Sequence, residues 1–280
     1  MSQKKPGPLS LNTATVKEQW SLQQCIEGCA RHGITGISPW RDKLAEYTTA
    51  KAAKHIREVG LTVTGLCRGG MFPAADAAGR QAAIDDNKRA IDDAAALNAQ
   101  CLVLVVGGMP SGSRDLAGAR QQVQDGIAAV QEHARAANVP LAIEPLHPMY
   151  AADRACVNTL AQALDICDAL GSGANDCHLG VAVDVYHVWW DPQLAAQIKR
   201  ASKRVLAFHI CDWLVPTTDL LLDRGMMGDG VIDIPAIRAM VEEVGYTGFC
   251  EVEIMSTNTW WKKDADAVLR TCIERHASVV

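Results

Sequence analysis

Short β-branched or apolar runs alternate with longer Ala-rich segments of helical period along all 280 residues. That alternation predicts a parallel sheet covered by helices. The units number eight, at about 35 residues each, and eight units close naturally into a barrel. No Pro/Gly/Ser linker divides the chain, and no G-x-G-x-x-G follows the first strand, which counts against an open doubly wound sheet. The expectation is therefore a single domain, residues 1–280, folded as an α/β (β/α)8 TIM barrel.

The elements follow in order. The first strand is expected over 8–13 (PLSLNT), ending near Asn12, and the first helix over 17–31, with Cys25 and Cys29 one helical turn apart. The second strand (ITGIS, 34–38) precedes a helix over 42–59, and the third (LTVTGL, 61–66) precedes one over 77–97. The fourth strand, 101–106, holds the longest aliphatic run, LVLVV, and leads to a helix over 114–137. Strands at 140–144 (PLAIE), 179–184 (LGVAVD), 204–210 (RVLAFHI) and 249–254 (FCEVEI) alternate with helices at 157–170, 192–201, 233–244 and 263–277. Residues 211–232 form the longest connection without helical period, and long loops of that kind tend to be functional.

Composition narrows the function classes. Hydrophobic residues make up 49% of the chain, enough for a large core. A net charge of −5 argues against a nucleic-acid partner, and Lys4 and Lys5 are too few to form a basic tail. LVLVV is far short of the roughly 20 residues that span a bilayer, and no apolar segment near the start reads as a signal peptide, so no membrane is expected. None of the ten cysteines forms a C-x-x-C pair. They read as reduced, buried apolar residues of a cytoplasmic protein.

In such a barrel the chemistry lies at the C-terminal strand ends. The fifth strand ends at Glu144 with His147 three residues on, the sixth at Asp184 followed by His187, and the seventh at His209. The eighth offers Glu251 and Glu253, which share a parity; Glu253 lies nearer the strand end, and Glu251, one layer lower, suits a supporting or ion-paired role. Three carboxylates crowded together repel one another, and a divalent cation removes that penalty. Glu144, Asp184, His209 and Glu253 are thus the expected metal ligands. Three carboxylates and one imidazole suit Mn²⁺ first, with Mg²⁺, Co²⁺ or Zn²⁺ as alternatives. The competing explanation, four isolated polar residues each paired to a neighbour, has to invoke the same accident on four successive strands.

Six of the seven tryptophans also follow strand ends, among them Trp40, Trp189 and Trp260. Indole faces stack on sugar rings, which points to a small-molecule sugar, although sealing the barrel mouth or packing in a homo-oligomer would use them equally well. Arg68, before two glycines after the third strand, and Arg224, in DRGMMGDG, are further candidate substrate contacts.

The segments IEPLHP, VDVYHVWWD, FHICD and GFCEVEI, in that order, resemble the xylose isomerase-like TIM-barrel superfamily, which includes sugar phosphate isomerases and ketose 3-epimerases. The resemblance implies that Glu144, Asp184, His209 and Glu253 hold Mn²⁺ or a similar ion, that Glu144 and Glu253 act as acid and base on opposite faces of a sugar, and that His187 contacts a substrate oxygen. An arginine six residues past the strand-seven histidine often binds the sugar in that family. Val215 stands there in this chain, with Arg224 as the substitute. The implied reaction is isomerisation or epimerisation of a keto-sugar through an enediolate. Two alternatives stay open: a lyase or dehydratase that shares the enolate step, with His147 as acid for a leaving group, and a sugar-binding barrel without catalysis.

Overall fold

The computed structural model describes residues 5–280, so Lys4 lies outside the described residues. Its strands are β1 (Leu9–Asn12), β2 (Gly36–Ser38), β3 (Thr62–Val63), β4 (Leu66–Gly70), β5 (Leu102–Val105), β6 (Leu141–Ile143), β7 (Leu179–Asp184), β8 (Val205–Ile210), β9 (Asp212–Trp213), β10 (Arg224–Gly225) and β11 (Cys250–Val252). Its helices are α1 (Leu22–His32), α2 (Arg41–Tyr47), α3 (Thr49–Val59), α4 (Ala77–Ala96), α5 (Leu116–Ala136), α6 (Leu160–Ala169), α7 (Val185–Val188), α8 (Leu194–Ala201), α9 (Ile234–Glu243) and α10 (Ala265–Val279).

Nine strands form one parallel sheet in the order β3-β2-β1-β11-β8-β7-β6-β5-β4. The two edge strands are consecutive in the chain, and a bridge between Trp40 and Cys67 links β4 back to the end of β2. The sheet is thus a nearly closed α/β barrel, though of nine strands rather than the eight expected. The extra strand arises where the predicted strand 61–66 changes neighbours. β3 pairs with β2, whereas Leu66 donates to Cys101 O and starts the ladder with β5. The predicted helix 42–59 is likewise two helices. They meet at Thr48, whose φ of 70° breaks the axis within a pair of β-branched threonines that propagate a helix poorly.

Most helix starts are fixed by side-chain caps. Ser21 and Gln24 form a capping box, and Asp76, Asp115, Thr159, Asp233 and Asp264 each accept an amide of the first turn. Strand alternation then sorts the side chains into two layers. Leu141, Ile143, Val181, Val183, Phe208 and Ile210 join the large core between sheet and helices. The other parity forms a smaller cluster inside the barrel, with Val103, Ala142, Ala182 and Ala207. Two residues after those alanines come Glu144, Asp184 and His209. The same parity that fills the barrel floor with small side chains places the polar ones at its mouth.

Candidate metal centre

Glu144, Asp184, His209 and Glu253 are all buried, and each offers a ligand atom within 4.8 Å of those of the other three. Asp184 ends β7, and its carboxylate accepts the Tyr186 amide (2.8 Å), which starts α7 at once. That single turn brings His187 Nε2 to 3.7 Å from Asp184 Oδ2 and accounts for the D-x-x-H spacing. Glu253 follows β11 and extends its ladder by donating to Ile210 O. Glu251, one layer lower, accepts from Asn12 Nδ2 (2.8 Å) and Thr64 Oγ1 (2.7 Å) and lies 3.4 Å from His209 Nε2. Asn12 Nδ2 also donates to Glu253 (3.0 Å), so one amide ties both glutamates.

Glu144, Asp184, Glu251 and Glu253 therefore share one buried centre with the imidazoles of His209 and His187 and the guanidinium of Arg224. Burial alone would lower the His209 pKa, but Glu251 and Glu144 outweigh it and hold the imidazole well above its usual range. Burial pushes Glu253 up to about 7, with Glu144 adding to the rise and Arg224 opposing it. At Asp184 burial would raise the pKa, yet Arg224 and His187 hold it below the usual carboxylate range. Burial pushes His187 down to about 3, leaving a neutral ring. The donors nonetheless remain incompletely used. His209 Nδ1 is 3.0 Å from Glu144 Oε1, but the two are not aligned for a hydrogen bond, and Glu144 Oε1 and both His209 nitrogens are buried without a hydrogen-bond partner. Orphaned oxygen and nitrogen donors converging within one sphere fit a divalent cation.

Arg224 reaches this centre through the long connection. β9 and β10 pair antiparallel, Arg224 opposite Trp213. Asp212 holds the turn beyond, accepting the amides of Trp213, Gly228, Gly230 and Ile232 at 2.9–3.0 Å. Gly230 is required there, because a Cβ would sit 2.1 Å from Trp213 O. Arg224 is buried and donates to Asp184 Oδ2 and Glu253 Oε2 (both 3.0 Å), stacks over Tyr186 (4.4 Å) and meets His187 Nε2 at 3.1 Å.

A narrow cavity of about 30 Å³, room for one or two waters, opens onto the centre. Trp40, Arg68, His187 and Arg224 line it with Glu144 and Glu253. Trp189 and Trp260 do not. Trp189 packs against Trp213, and Trp260 lies under Lys263. His147 also stays outside the lining, packed against Trp190 and Trp213 with its amide 3.3 Å from His187 Nδ1. Sequence reasoning missed Tyr150, Arg154 and Leu221, which also line the cavity, beside the apolar Cys67, Val105, Leu146 and Met255. The hydroxyls of Tyr150 (2.7 Å) and Tyr186 (2.9 Å) both donate to Leu220 O and strap residues 214–223 across the opening. A tyrosine and an arginine in the loop after the fifth strand were the available signal.

Comparison with known proteins agrees with this fold. In structure, the chain is similar to protein SMc04130 of Sinorhizobium meliloti 1021, with 60% identity, a TM-score of 0.94 and coverage of 97% of this chain and 98% of that one. It is similar to the IOLI protein with a bound zinc atom in fold, at 23% identity and a TM-score of 0.84 over 98% of both chains. In sequence it is 26% identical to the inosose isomerase of Bacillus velezensis over 97% of this chain and 96% of that protein. A family profile described as Xylose isomerase-like TIM barrel matches residues 26–272. The chain belongs to the xylose isomerase-like TIM-barrel family.

Proposed function

We propose that this protein is a metal-dependent isomerase or epimerase of a keto-sugar or keto-polyol. The convergence of Glu144, Asp184, His209 and Glu253 on one sphere carries the reading, and the similarity to inosose isomerases supports it. We count β3 and β4 as halves of one strand, which makes the sheet an eight-stranded barrel, and take the whole chain as one catalytic domain in the cytoplasm, where ten unpaired cysteines stay reduced.

The quartet would hold the cation, Mn²⁺ by its oxygen-rich donor set, with Zn²⁺ the alternative given the zinc in the IOLI protein. A cation bound there supplies Lewis-acid polarisation of a carbonyl and its neighbouring hydroxyl. Glu253, a buried carboxylate of the quartet that also lines the cavity, is placed to take an α-proton. Glu144 returns a proton from the facing side. His187, held neutral by burial, presents a ring nitrogen to a substrate oxygen, and Trp40 bounds the cavity as a face for the sugar. The strap and Leu221 exclude water. The lyase alternative assigned the leaving group's acid to His147, which lies outside the cavity lining, so no observation favours it.

The test is proton exchange in D₂O, followed by NMR over a panel of keto-sugars and keto-inositols with the Mn²⁺-loaded protein. The native protein should exchange an α-proton of at least one of them, and Glu253→Gln should fold normally with exchange lowered by about a hundredfold or more. Near-native exchange by that variant would remove Glu253 from the chemistry, and elemental analysis finding no divalent ion after Mn²⁺ loading would remove the metal.

A further inference from the structure

We infer that Arg68 and Arg154 form an anion subsite at the mouth of the metal cavity, so that the sugar carries a carboxylate or phosphate group remote from its carbonyl. This rests on the function proposed above and narrows its substrate class. Both guanidiniums line the cavity that also exposes Glu144 and Glu253. Arg68 comes from β4 and Arg154 from the loop after β6, so the barrel and a rim loop both contribute to one cavity wall.

Neither side chain donates a hydrogen bond to a protein acceptor among the described residues; the contact Arg154 makes is with the Tyr150 ring, at 5.6 Å. The neighbouring cations are all engaged. Arg41 grips Asp86 through both terminal nitrogens (2.8 and 3.1 Å), Lys17 pairs with Asp42 (3.0 Å), and Arg224 is spent on Asp184 and Glu253. Arg68 and Arg154 are not counter-ions of the quartet either, since neither comes within 4.0 Å of its carboxylates; the cation beside Glu144 Oε1 is His209, at 3.0 Å.

Two guanidiniums lining one cavity, neither of them paired with an acid, repel. Burial lowers the Arg68 pKa, and Arg154 is the next cause of that fall. A hydroxyl would occupy their donors but leave the repulsion. A carboxylate or phosphate answers both, because its oxygens match the planar fork of a guanidinium and its charge cancels theirs. A second hollow of about 480 Å³ shares Trp40, Cys67 and Arg68 with the narrow cavity, so the Arg68 side of the mouth has room beyond the metal centre.

Titration calorimetry of the Mn²⁺-loaded protein with fructose, fructose 6-phosphate and fructuronate tests the assignment, because the three share one ketose carbonyl and differ in the terminal group. At least one anionic ketose should bind about tenfold or more tighter than fructose. That ratio should fall toward one in Arg68→Gln and in Arg154→Gln and be largely kept in Arg68→Lys, with circular dichroism confirming the fold of each. Preference for the phosphate or for the carboxylate identifies the group. No preference for either anionic ketose, whether from equal binding or from none, overturns the inference, as does a ratio untouched in both Gln variants. The failure of the subsite is distinguishable from that of the proposed function: anion preference without α-proton exchange sinks the isomerase alone, and exchange without preference sinks the subsite alone.

Discussion

Arg224 is the residue on which the electrostatics of the centre turn. It sits buried between Asp184 and Glu253, and those carboxylates lie beside Glu144. Removing one partner from a buried ion pair leaves the other charge uncompensated, at a cost of about 3–5 kcal/mol. Arg224→Met, measured by urea denaturation in the presence of a chelator, should show a loss of that order. Mn²⁺ should restore more stability to the variant than it adds to the native protein, because the cation supplies the positive charge the variant lacks. Native stability of the variant in chelator would refute this account. The quartet itself was legible in the sequence because Glu144, Asp184, His209 and Glu253 close apolar strands at one parity, and Glu251 was separable from Glu253 by its depth. The pairing of Arg224 with Asp184 and Glu253 was not, since nothing in residues 214–223 announces how far back the chain folds. Tyr150 and Arg154 escaped for a related reason: a loop without period gives no indication of which side chains turn inward.

At the scale of elements, the connection 211–232 does more than join β8 to α9. It was legible only as a long loop with glycines. The β9–β10 pairing, its Asp212 hub and the strap over the cavity depend on contacts between residues far apart in sequence. Met227, just before the Gly228–Gly230 turn, is fully buried, so packing helps to hold that turn. Asp212 is the single side chain holding amides on both arms of the hairpin. Asp212→Ala should cost about 2–3 kcal/mol, given orphaned amides that are partly open to water. Hydrogen exchange should place the loosening at residues 224–232, with bound Mn²⁺ weakened in parallel as Arg224 shifts against Asp184. Uniformly faster exchange across the barrel strands, with 224–232 no different from the rest, would count against the hub.

For the molecule as a whole, alternation and strand parity made the barrel legible, whereas the change of neighbours between Val63 and Leu66 and the helix break at Thr48 were not, because both are decided by what lies across the sheet or against the helix rather than by local pattern. Among the described residues no helix is long and apolar enough to cross a membrane, in keeping with the shortness of LVLVV. The cysteines give the most direct check on how tightly this body closes. All ten are unpaired and nine are buried, with Cys177, in the connection before β7, the exposed one. Burial pushes the thiols of Cys25, Cys167, Cys250 and Cys272 up to about 12, and those of Cys67 and Cys211 well above the ordinary value, so the reactive thiolate is scarce at each. Their positions span α1, the barrel interior, β11 and α10, so no single local opening reaches them all. Titration with a thiol-specific disulfide reagent at neutral pH should consume one equivalent rapidly in the native protein and ten in denaturant. Cys177→Ser should abolish the fast phase. Several fast equivalents in the native protein would mean that the helical layer opens over the sheet far more readily than its packing implies, and the dry, rigid rim on which the metal centre depends would then have to be reconsidered.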